Sequence, residues 1–240
     1  MDGMVLMSKH TYFFGGWSLS PALLEGHFGQ NCTYIDSNLI MPELFDKNNK
    51  LKDTWPQVVK KHLHLSDTQH YHLAGWSTGA MIALALASTL QVHSLTLISP
   101  TLSFCRREGH RHGTHPSVLR SMREQLQQLP RNVLQKFYLS CGFDETFKPV
   151  VSYTIEQLTL GLHFLEQVDL TKIVFACSNT IIIHGRNDAI IPYPAAEATA
   201  GFCSGTLHCI DAGHAVFYGR ETELANYINS NNHTIEGNHS

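Results

Sequence analysis

Short apolar runs alternate along the chain with longer stretches of helical periodicity. A β-prone run from Thr11 to Phe14 ends on Gly15-Gly16 and a second occupies residues 32–35, so two strands flank a segment of helical character over 17–28. A third strand, over 71–76, runs directly into Ser77. Residues 78–87 then continue as an Ala-rich helix former carrying Met81, Ile82, Leu84 and Leu86. Further strands are predicted over 94–99, 180–184 and 205–210. This alternation of strands and helices predicts an α/β fold built on a mostly parallel sheet.

The pattern changes between the strands at 94–99 and 180–184. No strand-like run of comparable strength lies there, and apolar residues recur at helical spacing. Val118, Leu119, Met122, Leu126 and Leu129 fall on one helix face, with Arg120, Arg123 and Gln127 on the other. Pro130 punctuates the pattern. Leu134, Phe137, Tyr138 and Cys141 mark a second helix, and residues 153–167 a third. The chain therefore divides into a first part of the core over 1–103, an inserted helical lid over 104–170, and a second part of the core over 171–230. A polar, Asn-rich stretch over 231–240 is predicted to be a disordered tail.

Composition narrows the class. Of the 240 residues 43% are hydrophobic and 15% charged, enough apolar material for one large core and unlike a disordered polyampholyte. The six cysteines form no C-x-x-C pair, so they read as buried free thiols. The apolar stretch over 80–99 is broken by Ser88, Thr89, Gln91 and His93, which marks a buried helix and then a strand, not a membrane span. The first ten residues are too weakly apolar for a secretion signal, and a cytoplasmic location is expected. Net charge is −3, but residues 104–143 hold seven basic residues against two acidic ones. That segment, at +5, carries six of the eight arginines and leaves −8 for the rest, an asymmetry suited to an acidic partner or a solvated face.

The candidate chemistry centres on Gly75-Trp76-Ser77-Thr78-Gly79. In a G-x-S-x-G sequence the glycines give room for a strained strand-to-helix turn that projects a serine hydroxyl above the sheet. A serine needs a base to take its proton, and of sixteen histidines His214 has the placement for it, on the loop after the last strand. The orienting acid belongs between them in the chain, and Asp188 follows the strand over 180–184. Asp211 lies only three residues from His214 and reads as a loop-capping residue. The oxyanion of a tetrahedral intermediate needs backbone donors. Thr78 N–H supplies one, and Trp17 N–H, from the loop after the first strand, is the candidate for the second. Trp17 and Trp76 are candidate walls of the substrate pocket.

With these motifs the chain resembles the α/β-hydrolase superfamily over residues 11–227. Within it the chain is similar to the pimeloyl-[acyl-carrier protein] methyl ester esterases of biotin synthesis, through Gly16-Trp17-Ser18, Gly75-Trp76-Ser77-Thr78-Gly79 and the stretch Leu160-Gly161-Leu162, Leu165, Val168-Asp169-Leu170. The resemblance implies an α/β-hydrolase fold with a helical lid, ester hydrolysis through an acyl-enzyme, and no cofactor. It also implies an acyl-carrier protein as partner, whose phosphopantetheine arm and acidic surface meet basic lid residues, here Arg120, Arg123, Arg131 and Lys136. Two features depart from the family. Gly15 stands where the family has His in His-Gly-Trp, and the antiparallel hairpin that opens the family's sheet is missing or reduced to residues 4–8, a shortened N-terminal edge.

Other readings use the same residues: a carboxylesterase or thioesterase for free small acyl substrates, a lyase on the same scaffold, or a binding protein that kept the fold without turnover. His110, His112 and His115 lack ligand-spaced cysteines or carboxylates and read as a surface loop, with no metal site. There is no phosphate-cradling or dinucleotide motif and no nucleic-acid signature.

Overall fold

A computed structural model describes residues 10–27, 31–175 and 177–233. Its core is a six-stranded, all-parallel sheet of β1 (Thr11–Phe14), β2 (Cys32–Ile35), β3 (His70–Trp76), β4 (Gln91–Ile98), β5 (Thr180–Gly185) and β6 (Thr206–Ile210), in the order β2-β1-β3-β4-β5-β6. The predicted strand positions fall on all six, with β3 and β4 starting one and three residues earlier. After β2 the chain returns to the other side of β1, so β1 and β3 are neighbours whose carboxyl ends border the reversal of strand order. Such a switch point is where an open α/β sheet leaves a crevice for a ligand.

Helices cover the sheet. α1 (Ser37–Leu44) and α2 (Trp55–His62) follow β2, α3 (Thr78–Ala87) follows β3, and α7 (Tyr193–Cys203) and α8 (Glu221–His233) follow β5 and β6. Every residue of α3 is buried, which explains a helix apolar all round its circumference. Between β4 and β5 lie α4 (Pro116–Gln128), α5 (Pro130–Cys141) and α6 (Ile155–Gln167), in the places where the helical stretches are predicted. α5 begins on Pro130 and stops at Gly142, whose φ of 98° is left-handed. α6 is closed by a reciprocal capping box between Thr154 and Gln157.

Several expectations are corrected. The helical character over 17–28 reduces to a single 3-10 turn, Pro21–Leu24, because Trp17 and Leu19 are buried from an irregular loop and Gly26 adopts a φ of 85°. Phe28 lies outside the described residues, as do residues 4–8. The apolar stripe of α4 buries only Leu119 and Leu126 fully. Val118 is 52% exposed and Leu129, at the helix C-cap, 56%. Val118 lines a cavity, and Met122 lines it while also packing against the core. The predicted tail is also too long at its start, since 231–233 complete α8. Asn231 Nδ2 donates to Leu95 O (3.2 Å) and Thr96 Oγ1 (3.1 Å), and Asn232 Nδ2 to Thr11 Oγ1 (2.9 Å). These amides are buried because they satisfy polar groups on β1 and β4. Residues 234–240 lie outside the described residues.

All six cysteines are free, four of them buried and Cys32 and Cys209 half-buried. No described helix is long and apolar enough to cross a membrane.

Candidate active site

Ser77 stands at the junction of β3 and α3 with φ 55° and ψ −117°, a conformation a non-glycine residue adopts only when its surroundings enforce it. Two observations show the enforcement. Ser77 N–H donates to Ile98 O at 2.9 Å, continuing the β3 ladder one residue past the strand. The flanking glycines allow the backbone to fold back on itself: a Cβ on Gly75 would lie 2.3 Å from Gly79 O, and one on Gly79 would lie 2.1 Å from Phe14 O.

The structure brings Ser77, His214 and Asp188 together. Ser77 Oγ is 2.9 Å from His214 Nε2, and His214 Nδ1 is 2.7 Å from Asp188 Oδ2. With Nδ1–H donated to the carboxylate, Nε2 is left as an acceptor for the Ser77 hydroxyl. The other carboxylate oxygen of Asp188 accepts the N–H groups of Ile190 and Ile191, both at 2.8 Å. Burial pushes the Asp188 carboxyl up, but the facing His214, its hydrogen bond and the Ile191 N–H outweigh it and hold it below the ordinary carboxylate value. Asp211 is turned elsewhere and accepts from Asn187 Nδ2 at 2.9 Å.

Trp76 and two residues that the sequence does not single out, Ser99 and His184, fix this geometry. The backbone carbonyl of His214 accepts from Ser99 Oγ at 2.8 Å and from Trp76 Nε1 at 3.0 Å. Ser99, one residue beyond β4, is itself left-handed with φ 47°. His184, at the end of β5, lies with Nε2 3.0 Å from Ile191 O and 3.5 Å from Asp188 Oδ2. Burial lowers its pKa, with Asp188 opposing the shift. A buried serine at a strand end and a histidine inside a strand carry no sequence mark of such roles, which exist only once neighbouring strand ends are side by side.

A cavity of about 560 Å³ opens over Ser77. Its floor is Ser77, Trp17 and the Ala189-Ile190 turn; α4, α5 and α6 supply most of the remaining wall, largely Val118, Leu119, Met122, Val133, Phe137, Leu162 and Leu165, and Phe104 and Thr114 of the preceding loop complete it. The volume and apolar lining suit a small organic ligand. Trp17 lines it, its indole N–H donating to Leu158 O of α6 at 2.9 Å. Trp76 does not. It is packed behind His214 and Phe217, with ring centroids 5.3 and 5.0 Å away, and belongs to the core beneath the site. Thr78 opens α3, so its backbone N–H lies at the positive end of the helix dipole.

The four basic candidates do not converge. Lys136 lines the cavity. Arg123 is paired with Glu166 at 2.6 Å with a side chain only 13% exposed, and Arg120 and Arg131 are exposed away from the cavity lining. Arg107 is likewise drawn inward, onto the Glu166 carbonyl. Of the three loop histidines, His110 is buried against Thr101 and not at the surface, while His115 caps α4 through Ser117. No described group of three or more His, Cys, Asp or Glu side chains is placed to hold a metal ion.

This sheet order, the serine turn and the helical insertion together define an α/β-hydrolase fold. By sequence the chain is similar to pimeloyl-[acyl-carrier protein] methyl ester esterases: the protein of that name from Stenotrophomonas maltophilia (strain R551-3) is 28% identical over 167 residues, 63% of this chain and 64% of the relative. The match thus spans somewhat less than two thirds of the relative's length. Among solved structures, the esterase EaEST from Exiguobacterium antarcticum superposes with a TM-score of 0.70 at 18% identity, covering 93% of this chain and 91% of that one. BioG from Haemophilus influenzae superposes with a TM-score of 0.54 at 18% identity, covering 89% and 92%. No family model matches the chain.

Proposed function

We propose that the protein is a serine ester hydrolase that cleaves the methyl ester of a pimeloyl group carried on acyl-carrier protein, a cytoplasmic step of biotin synthesis. The observation that carries the hydrolase reading is the hydrogen-bonded series Ser77, His214, Asp188 at the base of an apolar cavity. The substrate and the carrier partner come from the resemblance to the named esterases.

In this reading Ser77 Oγ attacks the ester carbonyl as its proton passes to His214 Nε2. Asp188 holds the imidazole in the productive tautomer and stabilises the imidazolium. Thr78 N–H and Trp17 N–H receive the negative charge on the former carbonyl oxygen. His214 then returns the proton to the departing methoxide, releasing methanol and leaving the acyl group on Ser77. Water activated by His214 cleaves that acyl-enzyme, giving the free carboxylate and restoring the serine hydroxyl. The apolar cavity accommodates the acyl chain, and Lys136 is the basic residue best placed to meet an anionic group on the substrate.

A second reading, hydrolysis of free small esters or thioesters, is favoured by the same cavity, since only one of the four basic candidates lines it. The two are separated by comparing p-nitrophenyl esters of increasing chain length with the methyl ester of pimeloyl-acyl-carrier protein, using Ser77→Ala as the inactive control. The carrier reading expects a higher kcat/KM on the carrier substrate and a loss confined to that substrate in Lys136→Ala. A clear preference for free esters overturns it, and failure of wild type to be labelled by a fluorophosphonate at Ser77 overturns the hydrolase reading altogether.

A further inference from the structure

The loop that follows β1 contains Gly15-Gly16, and turning over the Gly16–Trp17 peptide needs a change in ψ of Gly16, which a glycine permits, together with φ of Trp17. The orientation of this peptide matters, because a trans peptide holds its C=O and N–H antiparallel. If Gly16 O faced the cavity, Trp17 N–H would face away from it. Something outside the loop must choose.

Asn38, the second residue of α1 and 1% exposed, holds the carbonyl of that peptide and the N–H of the next one. Its Nδ2 donates to Gly16 O at 3.0 Å, and its Oδ1 accepts the N–H of Ser18 at 2.8 Å. Nδ2 also donates to Asp36 Oδ1 at 3.0 Å, the same oxygen that caps α1 by accepting Asn38 N–H. Only one orientation of the amide satisfies these bonds, since carbonyl and carboxylate oxygens accept and the Ser18 N–H donates. Asp36 is held in turn by the Tyr153 hydroxyl, 2.6 Å from its Oδ2, just before α6 begins. Ser18, left-handed at φ 60°, is gripped from the other side by Tyr138 Oη, which donates to its carbonyl at 3.1 Å. Gly16 itself packs against the ring of Trp76, so close that a Cβ there would be 2.5 Å from Cε3.

We infer that Asn38 is a positioning residue that locks the Gly16–Trp17 peptide with its carbonyl turned into the protein, leaving Trp17 N–H to serve as the loop donor beside Ser77. The Asp36–Tyr153 pair extends this lock to the helical insertion, so the segment that walls the cavity also steadies the donor. The inference rests on the proposed hydrolase reading of Ser77.

Asn38→Asp tests it. The variant keeps the size and the acceptor for Ser18 N–H but places a carboxylate oxygen against Gly16 O, favouring the turned-over peptide. On a p-nitrophenyl ester the expected result is a fall in kcat of about 100-fold, the scale of losing one oxyanion donor, with KM within about twofold. An alkylboronic acid, which adds to Ser77 as a tetrahedral anion, is expected to lose affinity by a similar factor while the product carboxylate binds as before. Tyr153→Phe, which removes only the distal hydroxyl, is the companion should Asn38→Asp fail to fold; there kcat and boronic acid affinity are expected to fall together by roughly 3- to 10-fold. Unchanged kcat and boronic acid affinity in a folded variant, or a loss in KM alone, overturns the role of Asn38. A wild type that neither hydrolyses esters nor labels at Ser77 overturns the hydrolase reading and this inference with it.

Discussion

Gly161 of α6 lies against the indole of Trp17 so closely that a Cβ would sit 2.4 Å from Trp17 Cδ1 and 2.8 Å from Nε1. One turn earlier in the same helix, Leu158 O accepts that indole N–H at 2.9 Å. The helical insertion is thus seated on the residue that floors the cavity, and the hydrogen bond and the missing side chain are two parts of one contact. Gly161→Val is expected to push α6 from Trp17 and to destabilise the fold by about 1–3 kcal/mol, the usual cost of overpacking. Urea unfolding followed by Trp fluorescence measures it; a loss below 0.5 kcal/mol, on the order of a neutral surface change, would mean that the helix shifts freely.

Asp188 has a double engagement, with one oxygen on His214 and the other on two backbone N–H groups of its own turn. Asp188→Asn can keep the turn through its amide oxygen while presenting an N–H to His214 Nδ1, which forces the wrong imidazole tautomer. The expected outcome is a folded protein whose kcat falls by about ten-thousand-fold at nearly constant KM. Steady-state kinetics on a chromogenic ester decides, and retention of more than a tenth of the activity would remove Asp188 from its proposed role.

His184 makes stability depend on pH. In the folded chain its pKa is depressed below 6.5 by burial, so protons bind the unfolded chain more readily. Its contribution is therefore fully present above pH 6.5 and is lost as pH falls through the depressed folded value. His110 and His163, also lowered by burial, act in the same direction. Urea midpoints are expected to drop between pH 7 and pH 5, and less steeply in His184→Gln, which can still donate to Ile191 O. An identical slope in the variant would assign the loss to other groups.

Asn231 ties the last helix to the sheet through Leu95 O and Thr96 Oγ1, while its own carbonyl accepts Asn179 Nδ2 at 2.6 Å. Asn231→Leu removes the donor and leaves buried acceptors without it, at an expected cost of about 1–3 kcal/mol. Thermal or urea denaturation checks this. No measurable loss would mean that the Asn231 amide contributes no net stability and that Asn232 and the Asn179 contact hold the end of α8 without it.

The sequence by itself determined the parts of the molecule in which local pattern and final environment agree. Strands buried on both faces read as apolar runs, the Ala-rich helix after Ser77 reads as helix, and the glycines around Ser77 mark a turn that only small neighbours permit. The order Ser77, Asp188, His214 was legible for the same reason, because each residue follows a strand end that the pattern locates. Tertiary structure alone decided what depends on neighbours far apart in the chain. Trp76 and Trp17 stand in similar motif positions, yet one is buried behind His214 and the other floors the cavity. Arg123 looks like its neighbour Arg120 on a helix, but Glu166 of another helix captures it. Asn231 and Asn232 carry the composition of a tail and are buried because β1 and β4 offer them partners. In each case a polar or amphipathic side chain can end in more than one environment, and the choice is made by a hydrogen-bond partner that sequence spacing does not reveal.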